Sequence, residues 1–460
     1  MNSLGPRKRF VLNIDIKTME VTGWPKPIRH GSLVVAVSGV VVEGGRPSPQ
    51  GNRAITSAYV RYGATFTAEI LGQFCAVVVD VDARKVVLTQ DSFGVRDLFY
   101  LQDGSRLIVA SDLDLVVATQ PDLGLNETFF AQFIGTKNPD RKLTPFEGVQ
   151  RLTHGWTMVF SEDGISRFRA WTPPERAENP ALCPDPEERL RELIGEAVVS
   201  SLPNEGTVVC ELTGGLDSSS IFTTAHPLYD QLHALTYVAD RGLVGDDELF
   251  AAEVLKKYEA PWNRLDLDTT DFLPEDFGGF IAEPRAILYI HQFIEIERCL
   301  RDDAADVLLT GALGDVIFDY SGITPAFLAD PLARGAILSA YRLARDWAAA
   351  RDDMRAWSHY LLQIGWPIAW RHLRGRSVLD YQKDHIPAWV SLNLIDRCKP
   401  AYAEPDQIAP RVVEPGRQHL WESVYDLASH ENCALFRRLS ADIRHPLYYR
   451  PLVEFLLGLD

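Results

Sequence analysis

Hydrophobic and polar positions follow two different rhythms along this chain. Over residues 1–170, β-branched runs such as "SLVVAVSGVVV" and "GQFCAVVVDVDARKVVLTQDS" are broken by short polar turns, and "SRLIVASDL" and "GWTMVFSEDGISRFRAW" continue the pattern. That spacing predicts strands. The stretch "ENPALCPDPEE" is rich in proline and acid and reads as a linker, placed at 173–187. Beyond it, strand-length apolar runs alternate with helical periodicity. The pattern predicts helix over Pro186–Leu202, strand over Thr207–Leu212, helix over Ser218–Tyr229 and strand over His233–Ala239. It continues with helix near Asp247–Tyr258, the strand "WNRLDL", helix over Ile290–Asp303 and strand over Asp306–Gly311. Strands alternating with helices predict a parallel sheet covered on both faces. From about residue 325 onward, amphipathic stretches predict mostly helix, with "AWSHYLLQIGWPIAWRH" read as helix core.

Composition narrows the function. A chain of 460 residues is too long for one ordinary core, so two or three domains are expected. The net charge of −17, from 46 basic and 63 acidic residues, argues against a nucleic-acid partner, whose binding rests on phosphate neutralisation. The six cysteines are scattered without a CxxC pair, which suggests neither a disulfide framework nor a zinc site. The basic N-terminus lacks an apolar signal core, and no apolar run reaches the length of a membrane span. A reducing cytoplasm is the expected location.

The candidate chemistry sits in "VVCELTGGLDSSSIF". Here an apolar strand makes a Gly-Gly turn and delivers an acid and hydroxyls to the start of a helix. Helix N-termini offer unpaired N–H groups and a positive dipole end, and glycine lets the backbone approach a ligand closely. Thr213, Gly214, Gly215, Leu216, Asp217, Ser218 and Ser219 form this joint. It is not a Walker loop, because no Lys follows the glycines. Hydroxyls and N–H groups suit a departing pyrophosphate, and hence attack by a carboxylate at the α-phosphate with Mg²⁺ held by acids. "LLTGALGDVIFDYSG" also follows a buried strand and carries Asp315 after Gly311 and Gly314. Strand ends of an open parallel sheet share one crevice, so Asp217 and Asp315 could share a metal. Alone, each loop would more often be a turn with a helix-capping acid.

These segments resemble the asparagine synthetase family. "LTGGLDSSS" looks like its SGGxDS pyrophosphate loop, with Thr213 for the first Ser, and "LTGALGDVIFDY" looks like TGxGSDExxGGY. "TYVADRGLVGDDELFAAEVLKKY" is similar to the helix between them, with Asp247 and Glu248 at its DE pair, a pair that could equally be ordinary helix N-terminal acids. "ILGQFCAVVVDVDARKVVLTQDSFGVRDLFY" resembles the glutaminase stretch "DGMFAFALYD…RDxxGxxPLYY". The resemblance implies an α/β protein: an Ntn-hydrolase-like β-rich sandwich (1–172), then an adenine-nucleotide α-hydrolase-like parallel-sheet domain with a helical C-terminal part (188–460). It implies ATP and Mg²⁺, with Asp217 and Asp315 as metal ligands. The nucleotide is expected against the residues of the joint together with Leu212, Val238 and Gly311.

Three departures shape the expectation. The chain begins Met1-Asn2-Ser3 where asparagine synthetases carry a nucleophilic Cys, and Cys75 reads as an inert core thiol. The first domain is therefore expected to be a scaffold, with glutamine neither hydrolysed nor needed. Ala312 stands where asparagine synthetases carry Glu and β-lactam synthetases Tyr, and Val316 where many relatives carry Glu. The remaining branch is the lasso-peptide macrolactam synthetases, which adenylate an Asp or Glu side chain of a precursor peptide for attack by its N-terminal amine. A leader peptidase and a leader-binding protein would then be partners. A small-molecule amide or β-lactam-type synthetase is the alternative, and a non-catalytic nucleotide- or partner-binding homologue is another. Glu283, in "IAEPRAILYIHQF", could position the amine or be a surface acid. "RHPLYYRPLVEFLLGLD" resembles a helix that in the family precedes a segment with a charge-stabilising Lys, so residues past Asp460, or a partner supplying them, are expected to be needed.

Overall fold

The computed structural model describes residues 9–136, 140–172, 185–238, 247–266, 282–284, 290–318, 325–350, 356–376, 378, 389–391, 393–394, 412–431 and 436–458. In the N-terminal part, two antiparallel sheets stack face to face. One runs, in spatial order, Val149–Arg151, Phe99–Asp103, Arg106–Ala110, Val11–Asp15 and Glu20–Trp24. The other runs Gly164–Arg169, Trp156–Ser161, Lys85–Gln90, Leu71–Asp80, Leu33–Glu43 and Ile28–His30, with Arg46–Pro47 paired to Leu33–Glu43. The two-residue repeat of a strand explains the layering. In Leu71–Asp80, Cys75, Val77 and Val79 enter the core between the sheets. Phe74, Ala76 and Val78 pack instead against helix Gly51–Tyr62 through Ile55 and Tyr59.

That helix, with Leu113–Thr119 and Glu127–Thr136, corrects the reading of residues 1–170 as strands. Gly51–Tyr62 carries its buried residues at Gly51, Ala54, Ile55, Ala58 and Tyr59, the i, i+3, i+4 spacing of a one-sided helix. The short polar breaks between strand runs had hidden it. The result is helix, sheet, sheet, helix, because Leu113 and Val116 cover the far face of the first sheet. Cys75 is buried and burial pushes its thiol far above the ordinary range, which fits an inert core residue.

The C-terminal part is built on a parallel sheet in the order Trp262–Asp266, Leu232–Val238, Thr207–Glu211, Ala305–Leu309, Asp442–Arg444. Val208 and Cys210 face one apolar layer and Val209 the other, so the central strand is buried on both sides. The fifth strand, Asp442–Arg444, went unseen in the sequence because three residues carry no readable period. Helices occupy most of the described residues from 325 onward. In the Trp-rich stretch, however, Trp357, Trp366 and Trp370 are exposed while Tyr360, Ile368 and Ala369 are buried. The helix core is therefore aliphatic and Tyr-based, and the tryptophans lie on the outer face.

The two parts share an interface. Phe93, from the N-terminal part, stacks on Trp421 and meets Tyr425 and Tyr448 at centroid distances of 5.9–6.4 Å. Among the described residues no helix is long and apolar enough to cross a membrane.

Candidate nucleotide and metal site

The strand order places a topological switch point between Thr207–Glu211 and Ala305–Leu309, since the chain moves outward in opposite directions from this pair. A crevice opens at the carboxyl ends of such strands. Both glycine-rich joints of the sequence leave from there.

Their contact is tight enough to need glycine. A Cβ on Gly311 would lie 2.7 Å from the Ser218 nitrogen, and one on Gly314 would lie 2.0 Å from the Asp217 Cγ. Gly214 has φ of +82°, and a Cβ there would lie 2.5 Å from the Phe250 Cβ and 2.7 Å from the Asp247 oxygen. The Gly-Gly turn thus sits between the Asp315 loop and the first turn of helix Asp247–Lys257. Leu313 has φ of +84°, a left-handed conformation that costs a side-chain-bearing residue about 1–2 kcal/mol. It occupies the position where the resembled TGxGSD segment has glycine, and its buried side chain packs into the core beneath the loop.

The joint is shaped by its own hydroxyls. Ser218 Oγ accepts the Thr213 N–H at 3.1 Å and lies 3.0 Å from Thr213 Oγ1. Leu212 donates its N–H to the Leu235 oxygen, and the Thr236 hydroxyl donates to the Leu212 oxygen, both at 2.7 Å. Helix Leu216–Ala225 starts at Gly215, which offers no side-chain cap, so first-turn N–H groups remain for a ligand. Ser219 Oγ is buried and has no hydrogen-bond partner among the described residues. Val238 ends the neighbouring strand, half-buried.

Asp217 is half-buried and Asp315 exposed. Burial, and then the charge of Asp315, raise the Asp217 carboxyl above the ordinary carboxylate range. Neither side chain makes an ion pair or hydrogen bond among the described residues. Two acids that repel each other and lack a cation fit a hard divalent ion whose remaining ligands come from phosphates. Protein ligands alone would not suffice: no group of three or more His, Cys, Asp or Glu among the described residues is arranged to hold a metal.

One acid at this crevice escaped sequence reading. Glu211 ends the central strand, accepts from the Tyr237 hydroxyl at 2.8 Å and is bonded by the Gly311 N–H. Burial raises its carboxyl, with those two bonds opposing. A single Glu within the apolar run "VVCEL" was the available signal.

Glu283 lies elsewhere. Its carboxylate takes Arg151 at 2.8 Å and Arg437 at 3.1 Å, inside a network that joins the two parts of the chain. It is thus an interface acid committed to two guanidinium partners, not the surface acid that the sequence also allowed. Glu248 is ion-paired to Arg264 on the flank of the sheet. Ser3, and the side chain of His291, a histidine of the Glu283 segment whose sequence reads as packing or surface rather than as a base, lie outside the described residues.

Comparison with known proteins fits this geometry. Residues 52–172 match a glutamine amidotransferase domain, and residues 189–460, more than half the chain, match asparagine synthase. The chain belongs to the asparagine synthase family. Glutamine-hydrolysing asparagine synthetase 3 of Bacillus subtilis is 26% identical over 217 residues, 45% of this chain and 34% of that protein. Glutamine-hydrolysing asparagine synthetase 2 of the same species is 24% identical over 220 residues, 45% and 29% respectively. Amidase chry2 of Gibberella zeae is 24% identical over 172 residues, 36% and 25%. The matched regions therefore span 34% or less of the length of these relatives. Among solved structures, an allosteric regulatory enzyme of purine biosynthesis covers 66% of this chain and 84% of its own at 10% identity, with a TM-score of 0.24, too low to carry an argument. Within the asparagine synthase family, the synthase domain is the amide-forming, ATP-using one, and here it is the part that carries both acid loops.

Proposed function

We propose that this chain is an AMP-forming, ATP- and Mg²⁺-dependent ligase that closes an amide within a peptide. It activates an Asp or Glu side-chain carboxylate of a precursor peptide for attack by that peptide's N-terminal amine, as in lasso-peptide macrolactam formation. The observation that carries the reading is the meeting of Asp217 and Asp315 at the switch point, beside a Gly-Gly turn without a Walker Lys. N–H groups of the first turn of Leu216–Ala225 would hold the leaving pyrophosphate, with Thr213 and Ser218 keeping the turn in shape. Leu212, Val238 and Gly311 would border the nucleotide. Asp217 and Asp315 would hold Mg²⁺, which when bound offsets charge on the phosphates. Ala312 has no proton to move, which supports a substrate other than those of the asparagine and β-lactam branches. A leader peptidase and a leader-binding protein would act in the same pathway.

The test is incubation of the chain with MgATP and a peptide carrying a free N-terminus and an internal Asp or Glu. Expected products are AMP, pyrophosphate and a peptide lighter by one water. ADP and phosphate would refute adenylation. AMP formation with a small-molecule acid and amine, but with no peptide, would select the small-molecule synthetase.

A further inference from the structure

The N-terminal part reaches the Asp315 loop through three buried side chains. Gln73 lies on strand Leu71–Asp80, at the position where the resembled stretch "DGMFAF" carries an apolar Met. Its amide grips one backbone unit of the other part: Nε2 donates to the His445 oxygen at 2.6 Å, and Oε1 accepts the His445 N–H at 3.1 Å. The His445 ring then meets the Thr310 hydroxyl, Nδ1 to Oγ1, at 2.7 Å. Thr310 Oγ1 accepts the Ala312 N–H at 3.3 Å, and the Thr310 N–H donates to the Arg444 oxygen at 3.2 Å. Gln73, His445 and Thr310 are exposed by only 7%, 4% and 4%, so water does not compete for these bonds.

We infer that Gln73 and His445 are positioning residues: through Thr310, the N-terminal part holds the Thr310–Asp315 loop in the conformation that presents Asp315 to Asp217. The loop needs such a hold. It contains a left-handed Leu313, which alone favours relaxation, and its helix Gly314–Ile317 is one turn long. A two-pronged amide clamp on His445, directly after the adjacent strand, adds to the loop's own bonds. This gives the N-terminal part a task that needs no glutamine chemistry. The catalytic consequence rests on the function proposed above, whereas the structural link does not.

Hydrogen exchange of the full chain, without nucleotide, tests the link. Gln73→Met keeps volume and removes both prongs. Amides of the Thr310–Asp315 loop should exchange about 10-fold faster, the loss expected from one or two buried hydrogen bonds, while those of helix Gly51–Tyr62 stay unchanged. Thr310→Val should reciprocally speed exchange at the His445 amide, and Thr310→Ser should restore it. The Gln73→Met, Thr310→Val double variant should exchange at the loop no faster than Thr310→Val alone. Unchanged loop exchange in Gln73→Met, or multiplied effects in the double variant, would overturn the inference. If Gln73→Met does not fold, the Thr310→Val and Thr310→Ser pair decides by the His445 amide. In turnover, Gln73→Met should raise the Mg²⁺ needed for half-maximal rate about 10-fold and leave the peptide KM unchanged. A wild-type chain without turnover refutes the proposed function and leaves the exchange result standing.

Discussion

Two clusters of carboxylates in this molecule have opposite electrostatic settings. At the interface, Asp97 meets Arg437 at 2.7 Å, His154 at 3.1 Å and Arg151 at 3.4 Å. Asp112 takes Arg9 at 2.9 Å and Arg437 at 3.3 Å, and Glu283 shares Arg151 and Arg437. Burial opposes the charge of Asp97, but Arg151, His154 and Arg437 outweigh it and hold its carboxyl well below the ordinary range. At the switch point, Asp217 and Asp315 face each other with no such cation, and Asp217 is shifted upward. Compensated acids hold parts together. Uncompensated acids that repel are kept by the fold at a cost, which a bound cation would remove. The comparison separates Glu283 from the acids that the sequence grouped it with.

The largest expected effect lies at the uncompensated pair. Asp217→Asn and Asp315→Asn should each cut AMP formation by at least about 10³-fold, with the circular dichroism spectrum unchanged. Retention of most activity by either variant removes that residue from the metal site. Asp97→Asn and Glu283→Gln should behave inversely, because each leaves buried guanidinium charge unmatched. Urea unfolding should show a loss of about 3–5 kcal/mol, with turnover per folded molecule nearly unchanged. An inactive but fully stable Glu283→Gln would return Glu283 to the catalytic group.

Gly314→Ala should fall between these. Its Cβ meets the end of the Asp217 side chain, which can swing aside, so stability should change by under about 1 kcal/mol. Turnover should still fall about 10-fold or more, since the displaced carboxylate is the one needed, and wild-type turnover would show that its place is not critical.

The smallest effect is a pH slope. Burial lowers the pKa of His154 below 6.5, so the unfolded chain takes up the proton first. The stabilisation is present above about pH 6.5 and is lost as pH falls through the lower folded value. His154→Gln should flatten that slope in urea midpoints measured from pH 7.5 to 5.5. An unchanged slope would place the titration elsewhere.

Periodicity and motif chemistry were local, and so were legible from the sequence alone. The central strand, the Gly-Gly turn, the following helix and the second glycine loop were all placed to within a few residues, because each is specified by neighbours in the chain. The pairing of Asp217 with Asp315 was inferable only by assuming parallel strand ends. The strand order Trp262–Asp266, Leu232–Val238, Thr207–Glu211, Ala305–Leu309, Asp442–Arg444 is what brings them together. Three things had no local signature. The strand Asp442–Arg444 is too short to read, and its existence depends on an edge offered by Ala305–Leu309. The partners of Glu283 lie 132 and 154 residues away, so nothing near it could distinguish a substrate-facing acid from an interface acid. Gln73 reads as one polar interruption in a strand, and only packing of the two parts set it against His445. Sequence determined which groups could do chemistry; the tertiary structure decided which charges were left uncompensated, because compensation depends on distance in space rather than along the chain.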